Sequence, residues 1–140
     1  MRICVSLGEP VLSEALERAR RLAIQADVIE VRLDLLDEIA VDPFLKEIET
    51  PLLFTNRPEW EGGKYDGGEK DRLASLVEAA QNGASYIDLE LRAEQHSWST
   101  LLDACSNTAT RIIASWHDFK TTASETELTT ILQQMRDSGA

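Results

Sequence analysis

The chain has 140 residues, 43% of them apolar, and a formal net charge of −11 at pH 7. This length suits a single domain with a hydrophobic core of its own. The acidic balance and the absence of any block of lysine or arginine argue against a nucleic-acid partner, because a phosphate backbone attracts basic surfaces.

Short runs rich in valine, isoleucine and leucine predict five strands of a parallel sheet that is covered on both faces. The runs are continuous and do not alternate cleanly between apolar and polar residues. In chain order, the predicted strands are Ile3–Leu7, Val28–Leu33, Leu52–Thr55, Tyr86–Leu91 and Ile112–Ser115.

Amphipathic spacing or capping signals predict a helix after each strand. In the second helix, Asp42 is the expected N-cap and Pro43 the first helical residue. Gly83 is the expected left-handed stop of the third helix, and Ser124 and Glu127 form a capping box at the start of the fifth. The first, third and fourth helices are expected over about residues 12–23, 69–82 and 97–105.

Five strand–helix units in sequence indicate a parallel sheet, which is either an open doubly wound sheet or a closed (β/α)8 barrel. The first turn, Gly8-Glu9-Pro10, lacks the glycine-rich phosphate turn of a dinucleotide-binding sheet. Eight units of about 28 residues would total about 224, close to the roughly 250 of a complete barrel. We therefore predict an α/β fold, an incomplete TIM barrel with about five of its eight strands, forming one partial-barrel domain over residues 1–140.

The sequence does not indicate a disulfide-rich, zinc-binding, secreted or membrane protein. Cys4 and Cys105 are too few and too widely separated for a disulfide framework or a zinc site. The N-terminus carries no apolar signal segment, and no apolar run approaches the ~18 residues of a membrane helix. We expect a cytoplasmic protein that contacts no membrane.

Ionisable side chains follow the predicted strands, where an α/β enzyme places its chemistry. Glu30, Arg32 and Asp34 alternate onto one face, where they form a salt-bridge ladder or serve an anionic or polyhydroxylated substrate. After strand three, Arg57 stands before a glycine-rich loop, which is expected to be pliable and either folds over a ligand or is plain surface. The position of Arg57 at the strand end favours the first interpretation.

The fourth and fifth strands add two carboxylates and a histidine. Asp88 and Glu90 are expected to neutralise the arginines of strands two and three, whereas His96 is a surface residue. His117 titrates near neutrality and can both accept and return a proton, but Asp118 beside it cannot be assumed to orient it. No metal site is predicted, because Glu30, Glu61 and His117 would converge as ligands only by coincidence.

Four segments together resemble type I 3-dehydroquinate dehydratase, the Schiff-base class of the shikimate pathway. They are Glu30–Asp34, Thr55–Arg57 followed by Glu61–Gly63, Tyr86–Glu90, and Ser115–Phe119. Each motif is weak alone, but four in the same order at strand ends are specific. The resemblance covers the whole chain and roughly the first five-eighths of a family barrel.

The resemblance implies a barrel that eliminates water from 3-dehydroquinate, with no metal or organic cofactor. In the family, a lysine on strand six forms an imine with the substrate ketone, which makes the α-proton removable. By motif, His117 is the general acid/base and Glu61 the loop carboxylate that assists it. Glu30, Arg32 and Arg57 fall on positions that hold the substrate hydroxyls and order the site.

The resemblance ends before the family's sixth strand, so the imine lysine has no counterpart here. Lys120 lies three residues after His117 and does not match the lysine motif. We therefore expect this polypeptide alone to be inactive, and its two open sheet edges predict a homo-oligomer or assembly with a complementary fragment. Two alternatives stay open, a non-catalytic half-barrel and a small structural α/β domain whose strand-end charges are merely paired.

Overall fold

A computed structural model describes all 140 residues and contains one parallel sheet of five strands. The strands are β1 Cys4–Leu7, β2 Val28–Arg32, β3 Leu52–Thr55, β4 Tyr86–Glu90 and β5 Arg111–Ser115. The helices are α1 Leu12–Leu22, α2 Asp42–Glu47, α3 Glu69–Gln81, α4 Gln95–Cys105 and α5 Glu125–Asp137, with short 3₁₀ turns at Leu33–Leu35 and Glu59–Glu61. The five predicted strand–helix units are therefore confirmed.

The order of the strands decides between the two topologies that the sequence left open. They lie in the sheet as β1-β2-β3-β4-β5, each parallel to the strand before it. A doubly wound sheet reverses its order at a switch point, whereas a barrel adds each strand to the same side of the last. The sheet is therefore a segment of a (β/α) barrel.

The two faces of the sheet differ sharply in polarity. On the helix side, Val31 lies beside Phe54 and Phe54 beside Ile87, within a core of 22 buried apolar residues. On the other side, the register pairs Arg32 with Thr55 and Glu90 with Ser115. Because successive strand residues point to opposite faces, one alternation builds both the core and a polar concave face.

Several predicted element ends differ from the structure by one or two residues, and two of the differences concern charged residues. Strand β2 ends at Arg32, so Asp34 lies in the following 3₁₀ turn and not on the strand. Helix α2 already includes Asp42, which makes no side-chain cap and instead pairs with Lys46 one turn later. Gly83 at φ 96° and the Ser124 capping box are confirmed as predicted.

The sheet has one open edge at each end. Ile3 beside β1 is 46% exposed and Ile113 on β5 is 38% exposed. Helix α5 has no buried residue, and its Leu128 and Leu132 face solvent. The best-covered part of the fold is therefore its middle, around β2, β3 and β4. None of the helices combines the length and apolar character that a membrane-spanning segment requires.

Candidate active site

The five predicted site residues lie at the carboxyl-terminal edge of the sheet or on its concave face. Glu30 and Arg32 belong to β2, and Arg57 stands two residues after β3. Glu61 is in the 3₁₀ turn of the following loop, and His117 stands two residues after β5. Parallel strands end at one edge, so residues distant in sequence come together there.

His117 lies against Glu61. Its backbone N–H donates to Glu61 Oε2 at 3.3 Å, and its ring Nδ1 lies 3.8 Å from the same oxygen. The imidazole stacks on Phe119, with ring centroids 5.9 Å apart and planes 9° from parallel. About a third of the side chain remains accessible. The histidine is thus held in place while one side stays open to a ligand.

The surroundings of His117 favour its neutral form. Burial lowers the pKa of the imidazole, and the charges of Arg57 and Arg32 lower it further, while Glu61 and Glu90 act in the opposite direction. A histidine whose pKa lies below its ordinary value is uncharged at neutral pH and can accept a proton.

Glu61 is buried and tied to an arginine that the sequence did not single out. Its carboxylate is 1% exposed and accepts from Arg92 Nε and Nη2, both at 2.9 Å. Arg92 stands two residues after β4 and also donates to the carbonyl oxygen of His117 at 3.0 Å. No local signal distinguishes this arginine from a surface residue, because its partners come from distant loops.

Arg57 is the centre of a buried charge network. Its guanidinium pairs with Asp88 at 2.8 Å and Glu90 at 2.7 Å and donates to Ser115 Oγ at 2.6 Å. Ser115 in turn donates to Asp88 at 2.7 Å. Since the Arg57 side chain is only 7% exposed, most of its hydrogen-bonding capacity serves to hold the two carboxylates. The prediction that Asp88 and Glu90 neutralise the strand-three arginine is confirmed.

Arg72 of α3 completes this network and was missed by sequence reasoning. It donates to Glu90 at 2.8 Å and to the Asn56 carbonyl at 3.0 Å, and it forms a two-bond pair with Glu69. Burial opposes its charge, but Glu69 and Glu90 outweigh that effect and raise the pKa of the guanidinium. The spacing of Glu69 and Arg72 is an ordinary surface-helix pattern, so only the docking of α3 shows that the arginine is buried.

Arg32 does not pair with the strand-four carboxylates, and that part of the prediction is wrong. Its Nε and Nη2 donate to the two oxygens of Asp34 at 2.8 and 2.7 Å. Asp34 also accepts from the backbone N–H groups of Arg57 and Lys64, at 3.2 and 3.1 Å. The fully buried Asp34 carboxylate therefore ties the end of β2 to the glycine-rich loop.

We expect Asp34→Asn to destabilise the fold by about 1–3 kcal/mol at pH 7, because the amide cannot accept all four hydrogen bonds. Burial opposes ionisation of Asp34, yet Arg32 and the two N–H groups outweigh it and lower the pKa of the carboxyl. A depressed carboxyl pKa adds stability that is fully present above about pH 4 and is lost as the pH falls through the folded-state value.

Urea unfolding at pH 7 and pH 3 measures this effect. The difference between the original chain and Asp34→Asn should shrink at pH 3, because that pH lies below the ordinary aspartate pKa and the unfolded chain takes up the proton before the folded chain does. A difference that is equal at the two pH values would contradict the assigned role of Asp34.

The glycine-rich loop is more firmly held than the sequence suggested. Tyr65 N–H donates to the Arg57 carbonyl at 3.1 Å and Glu59 N–H to the Tyr65 carbonyl at 3.1 Å. Gly62 has φ 81°, and a side chain there would meet the ring of Phe119. A Cβ on Gly63 would collide with the Arg57 backbone carbonyl. Gly62 and Gly63 permit this close approach, which gives them a steric role beside the predicted pliability of the loop.

Gly63→Ala should therefore cost about 1–3 kcal/mol of unfolding free energy, because the backbone of Arg57 must move. Gly8→Ala is the matched control, since a Cβ there meets only a side-chain atom of Leu35 at 3.6 Å, and we expect a change within about 0.5 kcal/mol. Thermal or urea unfolding of both variants checks the prediction. Equal stability of the two variants would show that Gly63 is not sterically required.

Glu30 lies on the concave face and is only partly engaged. Its Oε1 accepts from the hydroxyl of Thr55 at 2.7 Å, and the side chain is partly exposed. The Arg32 side chain is 23% exposed beside it. These two residues, unlike Arg57, keep polar atoms available toward the concave side of the sheet.

A cavity of about 440 Å³ opens beside the histidine. Its lining includes Glu61, Arg92, His117, Phe119 and Lys120, but neither Arg32 nor Arg57. The predicted site residues thus share one edge of the sheet without lining one common cavity.

The remaining candidate residues lie outside this cluster. Asp118 accepts from the N–H groups of Lys120 and Thr121 at 2.8 and 3.1 Å, so it stabilises the next turn and does not orient His117. His96 is exposed, as predicted. The structure groups no three histidine, cysteine, aspartate or glutamate residues in a way that could hold a metal ion.

Comparison with known proteins places this arrangement in a family. The family described as Type I 3-dehydroquinase matches residues 3–140. The chain is 51% identical over 139 residues to a 3-dehydroquinate dehydratase from Desulfotalea psychrophila, covering 99% of this chain and 61% of that protein. It is 31% identical to the 3-dehydroquinate dehydratase of Methanocaldococcus jannaschii, covering 98% of this chain and 62% of the relative.

A solved structure agrees with the sequence comparisons. The type I 3-dehydroquinate dehydratase of Clostridium difficile, determined with covalently modified comenic acid, is 26% identical and superposes with a TM-score of 0.91. The match covers 99% of this chain and 59% of that structure. The chain thus spans about three fifths of the length of its relatives and forms part of their TIM barrel. It belongs to the type I 3-dehydroquinase family.

Proposed function

We propose that this chain supplies the acid/base part of an active site that dehydrates 3-dehydroquinate to 3-dehydroshikimate. The observation that carries the proposal is the geometry of His117, which is held beside the buried Glu61 at the end of β5 and is accessible on one side. Membership of the dehydratase family gives the substrate class, and the neutral imidazole gives the proton acceptor.

The proposed reaction begins at the substrate ketone. A lysine amine condenses with the ketone, releases water and forms an imine, which withdraws electrons from the neighbouring carbon. His117 takes the proton from that carbon, and the electron pair shifts toward the imine. Expulsion of the β-hydroxyl then forms the new carbon–carbon double bond, and protonated His117 gives the same proton to the leaving oxygen, so that water departs. Hydrolysis of the imine releases the product.

The neighbouring residues have distinct parts in this proposal. Glu61 stabilises the imidazolium that forms after proton transfer, since its carboxylate lies 3.8 Å from Nδ1. Glu30 and Arg32 bind substrate hydroxyls from the concave face, where both keep exposed atoms. Arg57 orders the site through Asp88 and Glu90 and lowers the proton affinity of His117 by its charge.

We further propose that these 140 residues alone do not complete the reaction. His117 needs an imine to make the substrate proton acidic, and the family's lysine belongs to a sixth strand that lies beyond the five strands described. Lys120 lines the cavity beside His117 but follows the strand end in an exposed turn. Borohydride reduction in the presence of 3-dehydroquinate, followed by mass spectrometry of the chain, should detect no adduct. An adduct at any lysine would refute this part of the proposal, and its loss in Lys120→Met would identify the amine.

The dehydratase proposal itself is tested by completing the barrel. We would extend this chain after Ala140 with further strand–helix units. These units come from the 3-dehydroquinate dehydratase of Desulfotalea psychrophila, where they follow the segment that matches this chain. The chimera should form 3-dehydroshikimate, followed by its absorbance in the ultraviolet, and should trap a borohydride adduct on the added lysine. A folded chimera that traps the adduct but gives no product would show that the His117 half of the site does not carry out the elimination.

A second candidate function is a non-catalytic half-barrel that assembles with itself or with a complementary fragment. The observation that favours it is the pair of open edges, with Ile113 on β5 and the exposed leucines of α5 left uncovered. Light scattering on the isolated chain distinguishes an assembling half-barrel from a monomer, since assembly should give a mass above that of one chain. A monodisperse monomer that unfolds cooperatively would count against this candidate.

A further inference from the structure

Arg92 lies at the site but has no part in the reaction proposed above. It is 48% exposed, yet its guanidinium is held by two hydrogen bonds to Glu61 and one to the carbonyl oxygen of His117. The guanidinium carbon also lies 5.9 Å from the ring centroid of Trp116, within the range of a cation–π contact. An exposed arginine with four such contacts is ordered by its surroundings.

The contacts of Arg92 bear on an unusual feature of His117. Ring atom Nδ1 is buried and makes no hydrogen bond in the chain. The nearest carboxylate oxygen, Glu61 Oε2, is 3.8 Å away, which is too long for a hydrogen bond. Both oxygens of Glu61 instead accept from Arg92. Arg92 and His117 therefore compete for one carboxylate, and Arg92 holds it.

We propose that Arg92 is a positioning residue that keeps the Glu61 carboxylate turned away from His117 Nδ1, and so limits how strongly Glu61 supports a protonated imidazole. This inference rests on the proposed acid/base role of His117. Without Arg92, the carboxylate can rotate toward Nδ1 and form the hydrogen bond that the structure lacks. The imidazole would then hold its proton more tightly and return it to a leaving group less readily.

The other charges around His117 stay in place when Arg92 is replaced. Arg32 from β2 and Arg57 after β3 oppose protonation of the imidazole, while Glu90 from β4 favours it, as Glu61 does from the loop. Loss of Arg92 also removes a positive charge from the neighbourhood. Both consequences raise the proton affinity of His117, so the test must separate the rotation of Glu61 from the simple loss of charge.

The experiment follows the imidazole Cε1–H signal of His117 in the chain by NMR over a pH series. Arg92→Gln should raise the His117 pKa by about 0.5–1, the lower end of what a newly available opposite charge produces at a partly exposed site. Arg92→Lys should give a smaller rise, because an ammonium keeps the charge but cannot bind both carboxylate oxygens in a fork. Arg21→Gln on α1, which removes an exposed arginine paired with Glu17, is the matched control and should leave the His117 pKa unchanged.

The same replacement in a Glu61→Gln variant shows whether the rise in the His117 pKa comes from rotation of Glu61 or from loss of the Arg92 charge. In Glu61→Gln, further replacement of Arg92 by glutamine should shift the His117 pKa only slightly, because no carboxylate remains to rotate. An equal rise in both backgrounds, or no rise in a folded Arg92→Gln chain, would overturn the inference. These pKa measurements need no catalysis, so they test the role of Arg92 separately from the dehydratase proposal. The expected pKa shifts can be absent in a chain whose chimera is active, and they can be present when the chimera is inactive.

Discussion

Replacing Arg72 with methionine will lower the free energy of unfolding by about 3–5 kcal/mol, the usual cost of breaking a buried ion pair from one side. The arginine is 1% exposed and donates to Glu90, Glu69 and the carbonyl oxygen of Asn56. Methionine fills much of the same volume, so the loss reflects charge and hydrogen bonding more than a cavity. The fully buried Glu90 would keep Arg57 as its single cationic partner.

Urea unfolding at pH 7, followed by tryptophan fluorescence, measures this loss. Arg21→Gln breaks a pair whose side chains are 66% and 64% exposed, and we expect it to change the unfolding free energy by no more than about 0.5 kcal/mol. The double variant Arg72→Met with Glu90→Gln should lose less than the sum of the two single variants, because the buried Glu90 side chain is then neutral and no longer needs the cation that Arg72 supplied. Strict additivity, or a loss below about 1 kcal/mol for Arg72→Met, would contradict the network.

Replacing His117 with asparagine in the completed chimera will reduce kcat by about 10²–10⁴-fold, the usual contribution of a positioned acid/base group. Imine formation uses the lysine amine, so the borohydride adduct should still form. The substrate contacts proposed for Glu30 and Arg32 remain, and KM should change little. His96→Asn is the matched control, since that histidine is exposed on α4 and should leave kcat unchanged.

The pH dependence of kcat/KM in the same chimera is a second test of His117 as the base. Burial lowers the pKa of His117, so its neutral form persists below the ordinary value near 6.5. The limb of kcat/KM that reports the base should therefore rise with pH and have its midpoint below about pH 6.5. An acidic limb that is unchanged in His117→Asn would assign the proton transfer to another group, and retention of kcat would remove His117 from the mechanism.

Local pattern was sufficient for the elements that depend on short-range chemistry. The hydroxyl and carboxylate of Ser124 and Glu127 satisfy each other's backbone donors within three residues, so that helix start was predictable. Gly83 was predictable for the same reason, since only a left-handed residue ends α3 at that point. Asp34 and Asp42 were placed less well, because β2 ends before Asp34 and α2 already includes Asp42, which pairs with Lys46 one turn later and caps no helix end.

The residues at the polar edge of the sheet were predictable from the sequence, whereas the contacts among them were less so. Alternation along a strand correctly assigned Glu30, Arg32, Asp88 and Glu90 to the polar face, and motif resemblance selected Glu61 and His117. Arg72 and Arg92 were missed. Each meets its partner only after a helix or a loop has docked, across 18 residues for Arg72 with Glu90 and 31 residues for Arg92 with Glu61.

The sequence by itself determined five strand–helix units, the polar ends of their strands, and the motifs of one enzyme family. Apolar runs, caps and strand alternation act over a few residues, so they can be read along the chain. Only the tertiary structure decided that the sheet grows in sequential order, which carboxylate pairs with which arginine, and that the Arg92 guanidinium and not the His117 ring forms hydrogen bonds with the Glu61 side chain. These outcomes depend on strand register and on the docking of α3 and the glycine-rich loop, which bring together groups whose separation along the chain carries no local signal.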